Sequence, residues 1–212
     1  MNLLYDPGIV LYLPLYELDG SPFESHDPYG HLSTVTGASY TARGRSFDGI
    51  DDDINCGNSG VFDFNSAFTL AAWVKLGALG KTQFIICNRD PANKAGWALF
   101  YYSSNKFYLQ GGDGATWPCL NVVSGNVYSD TNTFYFLVAT FDDTGRLFVN
   151  GAPDGTDTSA PLAASDYPTL VGNDTYVPSP FEGVIGEVYA FSRALSHPEI
   201  LHIYQATKWR YR

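Results

Sequence analysis

Short runs of β-branched and aromatic residues recur along the chain, and Gly, Pro, Asn and Asp separate them about every ten residues. This alternation of short apolar runs and turn residues is typical of antiparallel sandwiches and barrels. It predicts an all-β domain without an internal repeat. The predicted strands span residues 10–15, 46–47, 54–56, 68–75, 83–88, 97–103, 106–110, 121–123, 134–141, 146–149, 169–171 and 184–191.

Two pairs of these strands are predicted to form hairpins. Residues 98–102 turn at 103–105 into 106–109, and residues 137–141 turn at 142–145 into 146–149. Side chains alternate along a strand, so Lys106, Tyr108 and Gln110 share one face, opposite Phe107 and Leu109. If that face points outward, it offers a platform for a ligand.

One helix is predicted, near the C-terminus. Ser196 and Glu199 have the spacing of a capping box, and apolar residues at positions 200, 201, 203 and 204 follow with helical period. We expect this helix to close one end of the sandwich. The basic and aromatic residues 208–212 (KWRYR) are predicted to form a solvated tail, with docking to a neighbouring subunit or a partner as the alternative.

Five motifs occur in order along the chain: FDGIDD (47–52), FTLAAWVK (68–75), ATFD (139–142), LFVNG (147–151) and GVIGEVYAFSRAL (183–195). With these motifs, residues 9–206 resemble the laminin-G-like domains of the concanavalin A-like lectin/glucanase superfamily. The resemblance implies a jelly-roll β-sandwich of two antiparallel sheets, one of them concave. We therefore expect residues 1–212 to form a single domain, with a core over 9–206 and a tail over 207–212.

The motif residues have structural explanations of their own. Phe47 and Trp73 lie within predicted strands and are predicted to anchor the core. Asn150 and Gly151 are predicted to form a turn, and Asp142 to accept hydrogen bonds from turn amides. The motifs therefore predict the architecture, and the function has to be sought in other residues.

Composition narrows the class of protein. The chain has 212 residues, 45% of them hydrophobic, with 14 Phe, 15 Tyr and 4 Trp, which is enough apolar surface to exclude a disordered chain. A net charge of −10 argues against nucleic acid as a partner, because a phosphate backbone requires clustered Lys and Arg. Residues 1–8 lack a basic segment and the apolar run 9–13 is short, so neither a signal peptide nor membrane insertion is expected.

The three cysteines, Cys56, Cys87 and Cys119, form no even framework and no C-x-x-C spacing. We expect all three to be buried as small hydrophobic residues, although a disulfide between two of them stays open at this point.

Catalytic residues are not apparent. A retaining glycosidase needs two carboxyl groups about 5–5.5 Å apart, which on one strand means positions two apart. None of the five glutamates stands two positions from another, and an odd spacing would point Glu182 and Glu187 to opposite faces of a regular strand. The four histidines adjoin no recognisable nucleophile motif. We therefore expect that the protein is not an enzyme.

The resemblance also implies a calcium site, since related sandwiches often bind Ca²⁺ through Asp carboxylates and backbone carbonyls. The aspartates at positions 48–53 form the densest acidic cluster, and we predict Asp51 and Asp52 as Ca²⁺ ligands. The alternative is that these are turn carboxylates held by water or by amides. Many relatives have Asp where this chain has Gly186, which removes one carboxylate from the expected set.

Three loops have the composition of a sugar-binding site, in which aromatic rings and polar partners converge. They are residues 88–94, 111–118 and 173–178, and the last contains an Asn-x-Thr sequon that we regard as chance. A Trp-Pro loop can instead fold back as a plug over its own strands. The predicted ligand contacts are Trp117, Asp113, Tyr108, Arg89, Asn173 and Tyr176.

These observations leave three functional classes in order of preference. The first is a non-catalytic carbohydrate-binding or adhesion module (lectin-like), whose partner is a glycan or a glycosylated surface. The second is a virion or other assembly protein, a decoration or tail component that binds itself or a capsid. The third is a polysaccharide hydrolase or lyase. The first two predict an extracellular or virion-associated location.

Overall fold

The structure, a computed structural model, describes residues 6–159, 161–174 and 176–212. Most of the N-terminal segment used for the signal-peptide prediction lies outside the described residues, and so does Thr175 of the sequon. None of the helices in these ranges is long and apolar enough to cross a membrane.

The described residues form sixteen strands, one α-helix and short 3₁₀ helices. The strands are β1 (Ile9–Pro14), β2 (Phe23–Glu24), β3 (Leu32–Thr36), β4 (Ser39–Thr41), β5 (Gly44–Asp48), β6 (Asp53–Asn55), β7 (Ala67–Leu76), β8 (Gln83–Asp90), β9 (Ala95–Tyr102), β10 (Lys106–Asp113), β11 (Leu120–Val123), β12 (Phe134–Asp142), β13 (Thr144–Val149), β14 (Ala152–Thr158), β15 (Leu170–Val171) and β16 (Glu182–Phe191). Helix α1 spans His197–Thr207, and 3₁₀ helices span Gly60–Phe62 and Lys208–Tyr211.

The strands build a jelly-roll sandwich of two antiparallel sheets, as predicted. Sheet I has the order β14-β13-β12-β7-β16-β5-β4, and β1 also pairs with β16. Sheet II has the order β11-β10-β9-β8-β15-β6-β3-β2. In sheet I, β5 pairs with residues 182–185 of β16 and β1 with residues 187–191, so two strands share one side of β16.

The main core fills the space between the sheets. Trp97 and Phe107 of sheet II and Phe68 and Phe141 of sheet I are fully buried there. The Trp97 indole N–H donates to the carbonyl of Phe62 at 3.0 Å, so its one polar atom is paired as burial requires.

The four strands that the sequence pattern did not predict, β2, β3, β4 and β14, are short or polar. Strand β14 carries Pro153 and Gly155, which weaken a strand signal but are tolerated at the edge of a sheet, where β14 lies. The predicted role of Asp142 was wrong. Its carboxylate accepts a hydrogen bond from the Arg146 side chain at 2.5 Å, and not from the amides of the turn.

Helix α1 lies across the outer face of sheet I, so the prediction that it closes one end of the sandwich was wrong. Ile200 and Ile203 pack on Trp73, Phe136 and Phe148, which point away from the main core. The capping box is present, with the Glu199 carboxylate accepting from the Ser196 amide at 2.8 Å. The helix covers this face because β7 and β12 are apolar on both faces, and an outer apolar face needs a cover.

Residues 208–211 continue this cover, which corrects the prediction of a solvated tail. The Tyr211 ring is buried and stacks on Trp73 at a centroid distance of 4.4 Å, and its hydroxyl accepts from the Glu187 amide at 2.9 Å. The Arg210 guanidinium pairs with the buried Glu187 carboxylate at 2.7 Å. A Cβ at Gly186 would lie 2.5 Å from the Tyr211 ring, so glycine leaves room for Tyr211 at this position.

The three cysteines are free thiols. Cys56 and Cys87 are buried as predicted, whereas Cys119 is only partly buried. Burial raises the pKa of the Cys56 thiol to about 12, which keeps it protonated and unreactive at neutral pH.

Candidate functional site

The outer face of sheet II carries a row of aromatic rings. Strand register places Phe84 of β8, Phe100 of β9 and Tyr108 of β10 side by side. The Phe100 ring stacks on Phe84 at 5.2 Å and on Tyr108 at 5.3 Å between centroids. Tyr102 extends the row, 5.1 Å from Tyr108, and is 42% exposed. These four rings form a continuous apolar surface at one end of the face.

Amide side chains lie beside this row, one step further along the strands. Register aligns Ala98 of β9, Gln110 of β10 and Asn121 of β11. The Gln110 amide N–H donates to the Asn121 side-chain carbonyl at 2.9 Å, which fixes the orientation of both groups. Ala98, which is fully buried, is the β9 residue at this position and has a side chain of one methyl group.

Trp117 closes the other end of the face by folding back over β10. The Asp113 carboxylate accepts from the amides of Ala115 and Thr116 at 2.9 and 2.6 Å, which builds the tight turn before Trp117. A Cβ on Gly112 would lie 2.6 Å from the Trp117 ring, so the ring occupies the space above a strand position without a side chain. From Tyr108 to Gly112 the strand rises about 13 Å, which is longer than a single sugar ring.

Arg89 fixes this end to the neighbouring loop. Its guanidinium lies over the Trp117 ring at 5.1 Å and over the Phe84 ring at 5.8 Å. It also pairs with the buried Asp174 carboxylate at 2.6 Å. The Asn173 side-chain carbonyl accepts from the amides of Asp174 and Ser179, so the loop after β15 is held against the end of β8.

Together these groups enclose a groove with a volume of about 440 Å³, within the range of small-ligand sites. We refer to it as the groove. Its described lining consists of Thr82, Phe84, Arg89, Phe100, Tyr102, Tyr108, Gln110, Trp117, Asn121, Val177 and Ser179.

Three of the six predicted ligand contacts, Trp117, Tyr108 and Arg89, line the groove. The other three lie outside its described lining. Asp113 shapes the turn before Trp117, and turn amides, Ala115 first, lower the pKa of its carboxyl. Asn173 is buried within its loop, where its carbonyl serves the loop amides, and Tyr176 is exposed beside the groove.

Sequence reasoning missed the contributions of Phe84, Phe100 and Tyr102. The alternation in β9 contains the signal, because Ala98, Phe100 and Tyr102 share the face opposite the buried Trp97 and Tyr101. Strands β8 and β9 are apolar on both faces, and periodicity alone does not say which face points to the core.

A larger hollow, about 620 Å³, lies at the edge of sheet I between β13, β14 and the start of α1. Of the described residues that line it, Phe148 has the one phenyl ring, and the His197 ring stacks on it at a centroid distance of 5.6 Å. The His197 Nε2 atom also contacts the Gly151 carbonyl at 2.8 Å. This hollow therefore lacks the free aromatic surface that the groove has.

The carboxylates Glu182 and Glu187 do not form an acid–base pair. A bulge at Gly186 shifts the register of β16. Val184 and Glu187, three positions apart, therefore both lie on the outer face, whereas an odd spacing in a regular strand would place them on opposite faces. Glu182 pairs with Lys81 at 2.7 Å, whereas Glu187 is buried beneath the C-terminal residues and pairs with Arg210.

The aspartate cluster lies in the turn between β5 and β6. Carboxylate oxygens of Asp48, Asp51 and Asp52 lie within 4.8 Å of one another. The Asp48 carboxylate accepts from the Ile50 amide and that of Asp52 from the Asp48 amide, both at 2.8 Å. Burial raises the pKa of Asp52, and the charges of Asp48 and Asp51 raise it further. Hard, closely spaced oxygens fit Ca²⁺, although the turn amides already use part of this set.

Residues 47–201 match the family model of the concanavalin A-like lectin/glucanases superfamily. No curated protein matches the chain in sequence.

Solved structures share the fold at low sequence identity. Trypanosoma rangeli sialidase, in complex with 2,3-difluorosialic acid, has a TM-score of 0.74 and 19% identity over 98% of this chain and 34% of that chain. Domain 4 of AbnA, a GH43 extracellular arabinanase from Geobacillus stearothermophilus in complex with arabinotriose, has a TM-score of 0.73 and 17% identity over 93% of this chain and 98% of that one.

The binding domain of Paraclostridial Mosquitocidal Protein 1 has a TM-score of 0.73 and 13% identity over 94% of this chain and 52% of that chain. The present chain thus spans about a third of the length of the sialidase chains that it matches. At these identities the likenesses establish the fold alone.

Proposed function

The chain belongs to the concanavalin A-like lectin/glucanase superfamily, and on that premise we propose that it is a non-catalytic carbohydrate-binding module that holds a glycan in the groove. The observation that carries the proposal is the convergence of aromatic rings and amide groups on the outer face of sheet II.

Sugar rings have apolar C–H faces and a rim of hydroxyls, so a site for them combines flat aromatic surface with hydrogen-bonding partners. Tyr102 and Tyr108 provide such surface together with hydroxyls, and Gln110 and Asn121 provide donors and acceptors within the same recess. Arabinotriose bound to the arabinanase domain of the same fold lends support, because it is a short oligosaccharide.

The lining of the groove favours binding over catalysis. Glycoside hydrolysis requires two carboxyl groups beside the scissile bond. Among the described residues that line the groove, none is a carboxylic acid. Asp174, an acid in contact with the lining residue Arg89, has a side chain that is 1% exposed and is engaged by that arginine.

A glycan array followed by titration calorimetry with the bound oligosaccharide tests this proposal. We expect Tyr108→Ala to weaken binding about tenfold, which corresponds to about 1.4 kcal/mol, because part of the stacking surface is removed. Tyr40→Ala is the matched control, since Tyr40 is an exposed tyrosine on β4 of sheet I.

Three results would contradict the proposal: an array without any bound glycan, equal affinity in the parent and Tyr108→Ala, or release of reducing ends from a bound polysaccharide. The last of these would favour the hydrolase class instead.

The assembly alternative and the extracellular or virion-associated location stay predictions. The basic C-terminal segment, whose alternative role was docking to a neighbouring subunit, gives assembly less support because Arg210 and Tyr211 are engaged within their own chain.

A further inference from the structure

We propose that the groove selects uncharged glycans over acidic ones, and that Arg89 positions Trp117 and the loop after β15 instead of binding an acidic sugar. The inference rests on the carbohydrate binding proposed above and names the ligand class for that site.

The charge of the groove is already balanced. Of the described residues that line it, Arg89 alone is charged. The Asp174 carboxylate lies 2.6 Å from its guanidinium and is almost fully buried, so it cannot turn to water without breaking the pair. A carboxylate on a ligand would have to displace an internal partner that is held in place before binding.

Access to Arg89 is also restricted. Phe84 and Trp117 cover faces of its guanidinium. Its Nε atom is buried without a hydrogen-bond partner, so this N–H is closed to a ligand as well as to solvent. A bidentate contact with an acidic sugar uses two parallel N–H groups. The pair Nε and Nη2 is closed because Nε is buried, and the pair Nη1 and Nη2 includes Nη1, which already donates to Asp174.

An acidic side chain also lies beside the groove. The Asp157 carboxylate accepts from the Asn121 amide at 3.0 Å, which places an acid beside the groove wall. Three lysines near the groove are outside its described lining. The ammonium groups of Lys106 and Lys94 donate to the carbonyls of Gly125 at 3.2 Å and of Ala115 at 2.9 Å, and Lys81 pairs with Glu182. With a net charge of −10 for the chain, an anionic glycan is repelled on approach.

The polar groups that remain suit hydroxyls. Gln110 and Asn121 offer amide N–H donors and carbonyl acceptors, and Thr82, Ser179 and Tyr108 offer hydroxyls that act as both. Sugar hydroxyls also donate and accept, so an uncharged oligosaccharide can pair with all of these groups without leaving a buried charge unpaired.

The test compares two oligosaccharides of the same linkage and length, one uncharged and one carrying uronic-acid carboxylates, by titration calorimetry at low and high salt. We expect the uncharged one to bind at least about tenfold more tightly, a difference of about 1.4 kcal/mol. Its affinity should not change with salt, because screening acts on charge–charge attraction.

Asp174→Asn tests the role of Arg89 directly, since it leaves the guanidinium without its partner. We expect the preference for the uncharged oligosaccharide to shrink, a change in selectivity that loss of structure alone would not produce. Asp166→Asn is the matched control, because it changes the net charge equally at an exposed aspartate outside the groove lining. If Asp174→Asn fails to fold, the comparison of ligands on the parent protein still decides the question.

Stronger binding of the uronic-acid oligosaccharide, or affinity that falls as salt rises, would overturn the inference and leave the proposed function standing. An array with no bound glycan would overturn the proposed function, and the inference with it.

Discussion

At the residue scale, the groove depends on Gly112. A Cβ at this position would lie 2.0 Å from the Lys94 carbonyl oxygen and 2.6 Å from the Trp117 ring. Gly112→Ala is therefore expected to push Trp117 off β10 and to lower the free energy of unfolding by about 1–3 kcal/mol. Urea denaturation measures the stability, and calorimetry should show weaker oligosaccharide binding.

Gly20→Ala is the control for this prediction, because the nearest atom to its added Cβ is 3.7 Å away. We expect it to change stability by no more than about 0.5 kcal/mol. Equal stability of Gly112→Ala and the parent would contradict the placement of Trp117 over the strand.

A second residue-scale prediction concerns pH. Arg193 pairs with both Asp6 and Glu199, and its hydrogen bond is the main reason that the pKa of Glu199 falls from 4.5 to about 2. The folded state thus binds fewer protons here than the unfolded state, so this stabilisation is present above pH 4.5 and is lost as the pH falls towards about 2. We expect Glu199→Gln to be less stable at neutral pH and to lose less stability on acidification.

Urea midpoints measured from neutral to acidic pH check this prediction, with Glu24→Gln as the control at an exposed glutamate on β2. Parallel pH profiles for Glu199→Gln and the parent would contradict it.

At the element scale, the C-terminal 3₁₀ helix packs on the outer face of sheet I and stabilises the fold. Removal of residues 208–212 would uncover Trp73 and Glu187 and would remove Arg210, the partner of the Glu187 carboxylate. Because the truncation removes the buried Tyr211 ring and exposes the apolar surface beneath it, we expect a loss of about 3–5 kcal/mol in the free energy of unfolding. Oligosaccharide affinity measured below the melting temperature should not change, because the groove lies on the other sheet.

Arg212→Ala, at the exposed last residue, is the matched control and should change stability by about 0.5 kcal/mol or less. A truncated chain as stable as the parent would mean that residues 208–211 are not docked on sheet I.

The same elements show how far the sequence predicts this structure. The strands with apolar runs were predicted because they are buried, whereas β14 reads as a loop because its polar residues lie at an edge. Docking of Tyr211 could not be predicted, because its partner Trp73 is 138 positions away in a strand that already looked like core. Loop composition identified Trp117 and Arg89, and strand pattern identified Tyr108. Phe84 and Phe100 were not predicted as site residues because both faces of their strands are apolar.

At the scale of the whole molecule, the two sheets differ in what covers their outer faces. Sheet I is covered by α1 and residues 208–211, and the aromatic residues beneath them are buried. On sheet II, a smaller apolar cluster ends in the partly exposed rings of Tyr102, Tyr108 and Trp117. The outer face of sheet II therefore presents a row of neighbouring, partly exposed aromatic rings, and this is the face that we expect to meet a glycan.

The negative charge of the whole molecule bears on the calcium prediction. The chain has a net charge of −10, and Asp48, Asp51 and Asp52 concentrate part of it in one turn. A bound cation would relieve their mutual repulsion, so we expect Ca²⁺ to raise the melting temperature. At a Ca²⁺ concentration ten times Kd the stabilisation is about 1.4 kcal/mol, or about 3–6 °C for a domain of this size.

Thermal unfolding in Ca²⁺ and in EDTA, at equal ionic strength, measures this effect. Asp51→Asn should abolish the calcium-dependent shift, whereas Asp166→Asn, with the same change in net charge at an exposed site, should retain it. Because the three aspartates lie outside the described lining of the groove, EDTA should lower the melting temperature without abolishing glycan binding. Equal melting temperatures in Ca²⁺ and EDTA would mean that turn amides and water, and not a metal, satisfy these carboxylates.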